Sequence, residues 1–136
     1  MVEVNAVYEG SLRCSAAHAP SQSSIRTDAP KDNHGKGEAF SPTDLVAAAL
    51  PTCMMTIMGI VAARHNIELT GMQARTIKEM SKDLPRRIAS LTTVIRVPIA
   101  SSHPQREALE QAAHTCPVHA SLHPDIHAPI EFQYTS

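Results

Sequence analysis

One apolar run constrains the fold of this 136-residue chain more than any other feature. Between Leu45 and Ala63 the sequence carries no charged residue, so a helix formed there has no face suited to water. We therefore predict a central helix over 41–65 that is packed on all sides. Ser41 suits the N-cap of this helix and Pro42 suits its first helical position, which marks where it begins.

A membrane span is the rival interpretation of so apolar a segment. Alanine makes the run only weakly apolar, and several polar or helix-breaking residues interrupt it. These are Ser41, Asp44, Pro51, Thr52, Thr56 and Gly59. We therefore expect a core helix and no membrane partner.

Pro51 is unusual inside this predicted helix. It has no N–H to donate to the carbonyl of Ala47, a defect that costs about 3 kcal/mol in an ordinary helix interior. A kink two residues before Cys53 is the expected result. Defects of this size tend to occur where a site is being shaped.

Composition argues against several classes of function. The 12 Lys and Arg nearly balance the 13 Asp and Glu, and the chain has two Phe, two Tyr and no Trp. Neither a polyanionic partner nor base stacking is favoured, so we expect no nucleic acid ligand. The amino terminus lacks a signal-peptide pattern and the three cysteines are widely spaced, which together favour a reducing cytoplasm. The length predicts a single domain over 1–136.

Hydrophobic alternation predicts strands on both sides of the central helix. The predicted elements are a hairpin over 2–16, a strand over 23–28, a long loop over 29–38, strands over 67–81 and 91–99, a helix beginning at Pro104, a short turn over 117–120 and a last strand over 130–134. The order is β-β-β-α-β-β-α-β. We predict an α+β fold with antiparallel pairing.

The cysteines are the candidates for chemistry. From local pattern, Cys53 is most simply a small buried hydrophobe, as most helical cysteines are. Cys116 lies where one helix ends and Pro117 opens another turn, so backbone N–H groups of that turn can point at its sulfur and stabilise a thiolate. Cys116 could equally be a core residue at a helix end. Spacing alone does not make the two cysteines partners, and we expect Cys14 to be an ordinary strand residue.

A thiolate at neutral pH needs a nearby cation, because a free cysteine titrates near 8.5. Arg13 and Arg26 lie on the amino-terminal strands, although each could also be a solvated surface residue. Glu38 or Asp44 could hold such an arginine through a bidentate pair. Asp44 could instead cap the helix, and Glu38 could be a solvated loop charge.

A cluster of histidines raises the question of a metal site. Cys116, His119 and His123 approximate the spacing of ligands on a helix. Prolines interrupt any continuous face, and no second ligand pair completes a set of four. We therefore expect no metal.

Two separate motifs, in order along the chain, resemble the OsmC/Ohr family of organic hydroperoxide reductases. The first motif is 41–45 (SPTDL) running into 47–50 (AAAL) and Cys53, and the second is 112–118 (AAHTCPV). The resemblance extends over nearly the whole chain. One departure is that the family's hydroperoxide reductases carry Glu directly after the helix-opening Pro, where this chain has Thr43.

The resemblance implies an intertwined homodimer, with antiparallel sheets wrapped around two central helices and active sites at the subunit interface. It implies that Cys53 is the peroxidatic thiolate and Cys116 the resolving thiol, in an enzyme of the oxidative or osmotic stress response. An arginine and a carboxylate would assist, for which the candidates are Arg13, Arg26, Glu38 and Asp44. The chemistry needs no metal, flavin or haem, and an external dithiol of the dihydrolipoyl type would reduce the resulting disulfide.

An alternative from another class of function stays open. Met54, Met55 and Met58 lie close together in the central helix, beside the proline. Methionine is common at adaptable apolar binding surfaces. The chain could therefore be a non-enzymatic dimer that binds a small apolar ligand in its interface cavity.

Overall fold

The computed structural model describes residues 1–135. Within them the elements are β1 Val4–Gly10, β2 Arg13–His18, β3 Ser24–Asp28, a 3₁₀ turn Lys31–Asn33, α1 Pro42–Arg64, β4 Gln73–Met80, β5 Ile88–Val97, α2 Arg106–His114, α3 Pro117–Ser121 and β6 Ile130–Tyr134. The predicted α+β class and element order are confirmed. The chain divides into two compact units, one of residues 1–46 and one that begins at Ala47, so the single domain stays a prediction.

The first unit contains the antiparallel sheet β1-β2-β3. Its register places Arg13 opposite Asp28. The hairpin between β1 and β2 turns at Ser11 and Leu12, whose φ values of 55° and 63° are left-handed, and Gly10 before them has a φ of 86° that glycine adopts easily. Val4 and Val7 are 60% and 62% exposed, so this sheet leaves large apolar side chains uncovered in the single chain.

The ends of α1 lie where the sequence predicts them. The N–H of Asp44 donates to Ser41 Oγ at 3.1 Å, and the N–H of Ser41 donates to Asp44 Oδ2 at 2.9 Å. This reciprocal capping box satisfies two N–H groups at the helix start. At the other end, Asn66 adopts a left-handed φ of 54° and the N–H of Ile67 donates to the Ala62 carbonyl at 2.9 Å.

The burial of α1 differs from the prediction of a helix packed on all sides. Its buried residues form one row at every fourth position, with Pro51 beside it, and only 28% of its most apolar 18-residue window is buried in the single chain. The helix continues through Pro51. By length and hydropathy α1 could cross a membrane, a test that core helices also pass. The row consists of Leu50, Met54, Met58 and Ala62.

The second unit contains the sheet β4-β5-β6. Strands β4 and β5 are antiparallel as predicted, but β6 runs parallel to β5, with Ile130 opposite Thr93. Antiparallel pairing was therefore wrong for β6. The physical reason is the connection through α2 and α3, which returns the chain to the end of the sheet where β5 begins.

The strand predicted over 67–81 begins later, at Gln73. A turn occupies the preceding residues, because Gly71 adopts a φ of 91° and the N–H of Met72 donates to the Leu69 carbonyl at 2.9 Å. Leucine and isoleucine in this stretch make it resemble a strand in sequence. The left-handed conformation of Gly71 interrupts the extended backbone, so β4 begins only after it.

Two leucines of the second unit provide a matched test of its core. Leu91 in β5 is fully buried, whereas Leu84 before β5 is 88% exposed. We expect Leu91→Ala to lower the free energy of unfolding by about 2–5 kcal/mol, because it removes buried methyl groups and leaves a cavity. Leu84→Ala should change it by less than about 0.5 kcal/mol. Urea denaturation followed by circular dichroism measures both, and equal effects would contradict this description of the core.

Candidate active site

The second unit brings Cys53 and Cys116 together. Cys53 is half-buried on α1, and Cys116 is fully buried at the N-cap of α3. Cys53 lies close enough to Cys116 to help raise the pKa of the Cys116 thiol. Both are free thiols in the structure. The two residues that the sequence could not pair by spacing therefore lie near one another within one chain.

The local environment of Cys116 follows from the proline that comes after it. Pro117 occupies the first position of α3, and the backbone N–H of His119 then donates to Cys116 Sγ at 3.3 Å. This is the contact that the sequence predicted. A backbone N–H directed at sulfur stabilises the thiolate form of a cysteine.

Burial nevertheless dominates the acidity of Cys116. Removal from water raises the pKa of the Cys116 thiol, because burial disfavours the charged form. The N–H of His119 partly opposes this rise, and Cys53 adds to it through its hydrogen bond and its charge. The pKa of Cys116 is therefore raised overall, and the predicted stabilisation of a thiolate there is outweighed. Cys116 is a thiol that keeps its proton at neutral pH.

The first unit holds a separate cluster around Arg13. Arg13 Nη2 lies 3.2 Å from Glu38 Oε2 and 3.6 Å from Asp28 Oδ2. Asp28 reaches the cluster from the end of β3, directly opposite Arg13, and the backbone N–H of Glu38 donates to Asp28 Oδ2 at 3.0 Å. We call Arg13, Asp28 and Glu38 the arginine cluster.

A cavity of about 470 Å³ adjoins this cluster. Arg13, Asp28 and Glu38 line it together with Arg26, the second arginine predicted from the sequence. The candidates Arg13, Arg26 and Glu38 thus share one cavity. Asp44 lies in the capping box of α1, in agreement with the capping role left open for it.

Asp28 is a residue of this cluster that sequence reasoning missed. The sequence indicates Asp28 only if the pairing of β2 with β3 is known, because that register places its charge opposite Arg13. Cys14, on the same strand as Arg13, pairs with Thr27 as an ordinary strand residue.

The histidines near Cys116 have structural contacts. His119 Nε2 lies 3.2 Å from the Ala128 carbonyl, and the N–H of Asp125 donates to His123 Nδ1 at 3.0 Å. Across residues 1–135, no group of three or more His, Cys, Asp or Glu side chains is arranged to hold a metal ion.

The described residues form two three-stranded sheets and a long apolar helix, and they bring two thiols near one another. The chain is an α+β protein with a dithiol site. The family profile described as OsmC-like protein matches residues 35–131. The chain belongs to the OsmC-like protein family.

Solved structures agree with this assignment. A protein from Psychrobacter arcticus 273-4, suggested to be an osmotic stress induced and detoxification response protein, is 42% identical with a TM-score of 0.91, and the match covers 98% of this chain and 96% of that one. Comparison with curated proteins gives no match.

More distant structures share the fold. The organic hydroperoxide resistance protein OsmC of Legionella pneumophila is 17% identical with a TM-score of 0.76, covering 98% of this chain and 96% of that one. An organic hydroperoxide resistance protein of Elizabethkingia anophelis is 13% identical with a TM-score of 0.80, covering 99% and 96%.

Alkylation kinetics test the environment of Cys116. In a Cys14→Ser background, the rate at which iodoacetamide modifies Cys116, measured by mass spectrometry between pH 7 and 11, should rise with a midpoint above that of a free cysteine, because burial raises the pKa of Cys116. Cys53→Ala should lower this midpoint, because it removes a hydrogen bond and a charge that oppose ionisation of Cys116. A midpoint at or below that of a free cysteine in the Cys14→Ser protein would contradict the described burial.

Proposed function

We propose that this chain is a cysteine-based peroxidase that reduces organic hydroperoxides. The observation that carries the proposal is the proximity of Cys53 and Cys116 within one chain. A peroxidase of this kind needs a sulfur to attack the O–O bond and a second thiol close enough to capture the oxidised sulfur. The names of the fold relatives from Legionella and Elizabethkingia point to the same substrate class.

In the first proposed step, the Cys53 thiolate attacks the outer oxygen of the hydroperoxide. The O–O bond breaks, an alcohol leaves after taking up one proton, and Cys53 becomes a sulfenic acid. Sulfur is oxidised by two electrons and the peroxide is reduced by two. The half-buried position of Cys53, compared with the fully buried Cys116, supports its assignment as the attacking residue.

In the second step, Cys116 captures this sulfenic acid. Its sulfur forms a bond to the sulfur of Cys53, the hydroxyl group leaves, and the thiol proton of Cys116 completes a molecule of water. The raised pKa of Cys116 supports this role, because a protonated thiol does not compete for the hydroperoxide. An external dithiol, such as a dihydrolipoyl group, then reduces the disulfide and is itself oxidised.

The arginine cluster supplies the proposed cation. We assign to Arg13 the stabilisation of negative charge during attack by Cys53, with Glu38 as its carboxylate partner at 3.2 Å. Arg26, on the same cavity, is the alternative. Asp44 contributes by fixing the start of the helix that carries Cys53.

We also propose an intertwined homodimer in the cytoplasm. Two observations support a partner chain: the low burial of the apolar helix α1 and the exposed apolar side chains of β1. A second copy would cover both surfaces. The active sites would then lie at the subunit interface, as the family resemblance implies.

Turnover tests the roles of the cysteines. Cumene hydroperoxide consumption with dihydrolipoamide should fall to background in Cys53→Ser, because the attacking sulfur is absent. In Cys116→Ser the sulfenic acid on Cys53 should persist and react with dimedone, which mass spectrometry detects.

Cys14→Ser is the matched control for these variants. It also replaces one thiol by a hydroxyl, but on β2 and outside the dithiol site, and should retain wild-type turnover. Wild-type activity in Cys53→Ser would refute the proposed peroxidase.

A second candidate function, binding of a small apolar molecule, has one observation in its favour. Met55, Gly59 and Ala62 are among the residues that line a cavity of about 610 Å³ in the second unit. Met54 and Met58, in contrast, are fully buried in the core, so they are already packed. Native mass spectrometry of the purified protein decides: a retained small molecule supports binding, and only unliganded protein counts against it.

A further inference from the structure

We propose that Asp28 is the positioning residue of the arginine cluster. Its buried carboxylate, rather than the exposed Glu38, fixes the guanidinium of Arg13. The consequence for turnover rests on the proposed function above, whereas the positioning itself depends only on the contacts within the first unit.

Burial separates the two carboxylates that flank Arg13. The Asp28 side chain is 2% exposed and the Glu38 side chain is 60% exposed. An exposed ion pair is screened by water and holds its partner weakly. A buried carboxylate must be paired, because its hydration is lost and no solvent replaces the missing charge. Among the described residues of this unit, Arg13 is the cation that lies within ion-pair distance of Asp28.

The two carboxylate oxygens of Asp28 differ in their contacts. Oδ2 accepts the N–H of Glu38 at 3.0 Å and lies 3.6 Å from Arg13 Nη2, which is beyond hydrogen-bonding distance. Oδ1 is buried and has no hydrogen-bond partner among the described residues. A shift of the guanidinium by about 1 Å would give a charge-assisted bond to Asp28, and a fork across both oxygens would satisfy Oδ1 as well.

Asp28 also holds the loop that carries Glu38. Its own N–H donates to the Phe40 carbonyl at 3.1 Å, and its side chain accepts from the N–H of Glu38. The same residue therefore connects the end of β3, the strand of Arg13 and the loop. Glu38 is the exchangeable partner of Arg13, and Asp28 is the fixed one.

The side-chain NMR signal of Arg13 tests this assignment without any reference to activity. In ¹⁵N-labelled protein, the Nη–H signal of Arg13, identified by its loss in Arg13→Gln, should exchange slowly with water, because Nη2 faces the two carboxylates. Asp28→Asn, which keeps the shape of the side chain and removes its charge, should speed exchange by about tenfold or more, because the hydrogen exchanges when the ordered arrangement opens. Glu38→Gln should leave it nearly unchanged. A larger effect from Glu38→Gln, or none from Asp28→Asn, overturns the proposal.

A stability comparison covers the case in which Asp28→Asn alone fails to fold. Arg13→Gln leaves the buried Asp28 charge uncompensated, so adding Asp28→Asn to Arg13→Gln should raise the urea midpoint by about 0.5 M. Adding Glu38→Gln to Arg13→Gln should not raise it. Equal midpoints for the two double variants overturn the proposal.

Turnover of cumene hydroperoxide is the third measurement. Asp28→Asn should lower kcat/KM for cumene hydroperoxide more than Glu38→Gln does, and the reverse order overturns the role of Asp28 in the reaction. If the wild-type protein consumes no hydroperoxide, the proposed function fails. The NMR and stability results would still decide whether Asp28 positions Arg13.

Discussion

The row of buried side chains along α1 is the interaction on which the dithiol site depends. Leu50, Met54 and Met58 are fully removed from water, and their spacing of four residues fixes the rotation of the helix against the core of the second unit. Cys53 directly precedes Met54, so this rotation sets the direction in which its sulfur points. The contact with Cys116 is a consequence of core packing, and the chemistry proposed here requires that packing to be unique.

The two thiols differ because their surroundings differ. Cys116 is fully buried in the core and its pKa is raised, whereas Cys53 is half-buried on a helix with much of its apolar surface uncovered in the single chain. This asymmetry suits the proposed roles, in which one sulfur attacks the substrate and the other captures the oxidised sulfur. In the first unit a buried and an exposed carboxylate flank one arginine, so the two partners of Arg13 also lie in different surroundings.

Local signals in the sequence were sufficient for some of this structure. The capping box at Ser41 and the N–H contact to the Cys116 sulfur each depend on residues within a few positions of one another. The parallel strand β6, the pairing of Arg13 with Asp28 and the raised pKa of Cys116 depend instead on contacts between segments that are distant in the sequence. Burial and strand partners are tertiary properties, which no local pattern specifies.

Disulfide mapping after stoichiometric oxidation tests whether Cys53 and Cys116 of one chain form a redox pair. The reduced protein would receive one equivalent of cumene hydroperoxide per chain, its remaining thiols would be blocked, and a non-reducing digest would be analysed by mass spectrometry. We predict one dominant linked pair of peptides, containing Cys53 and Cys116, in protein that migrates as a single chain on a denaturing gel. Oxidation that leaves both cysteines as thiols, or that links Cys53 to a different chain, would contradict it.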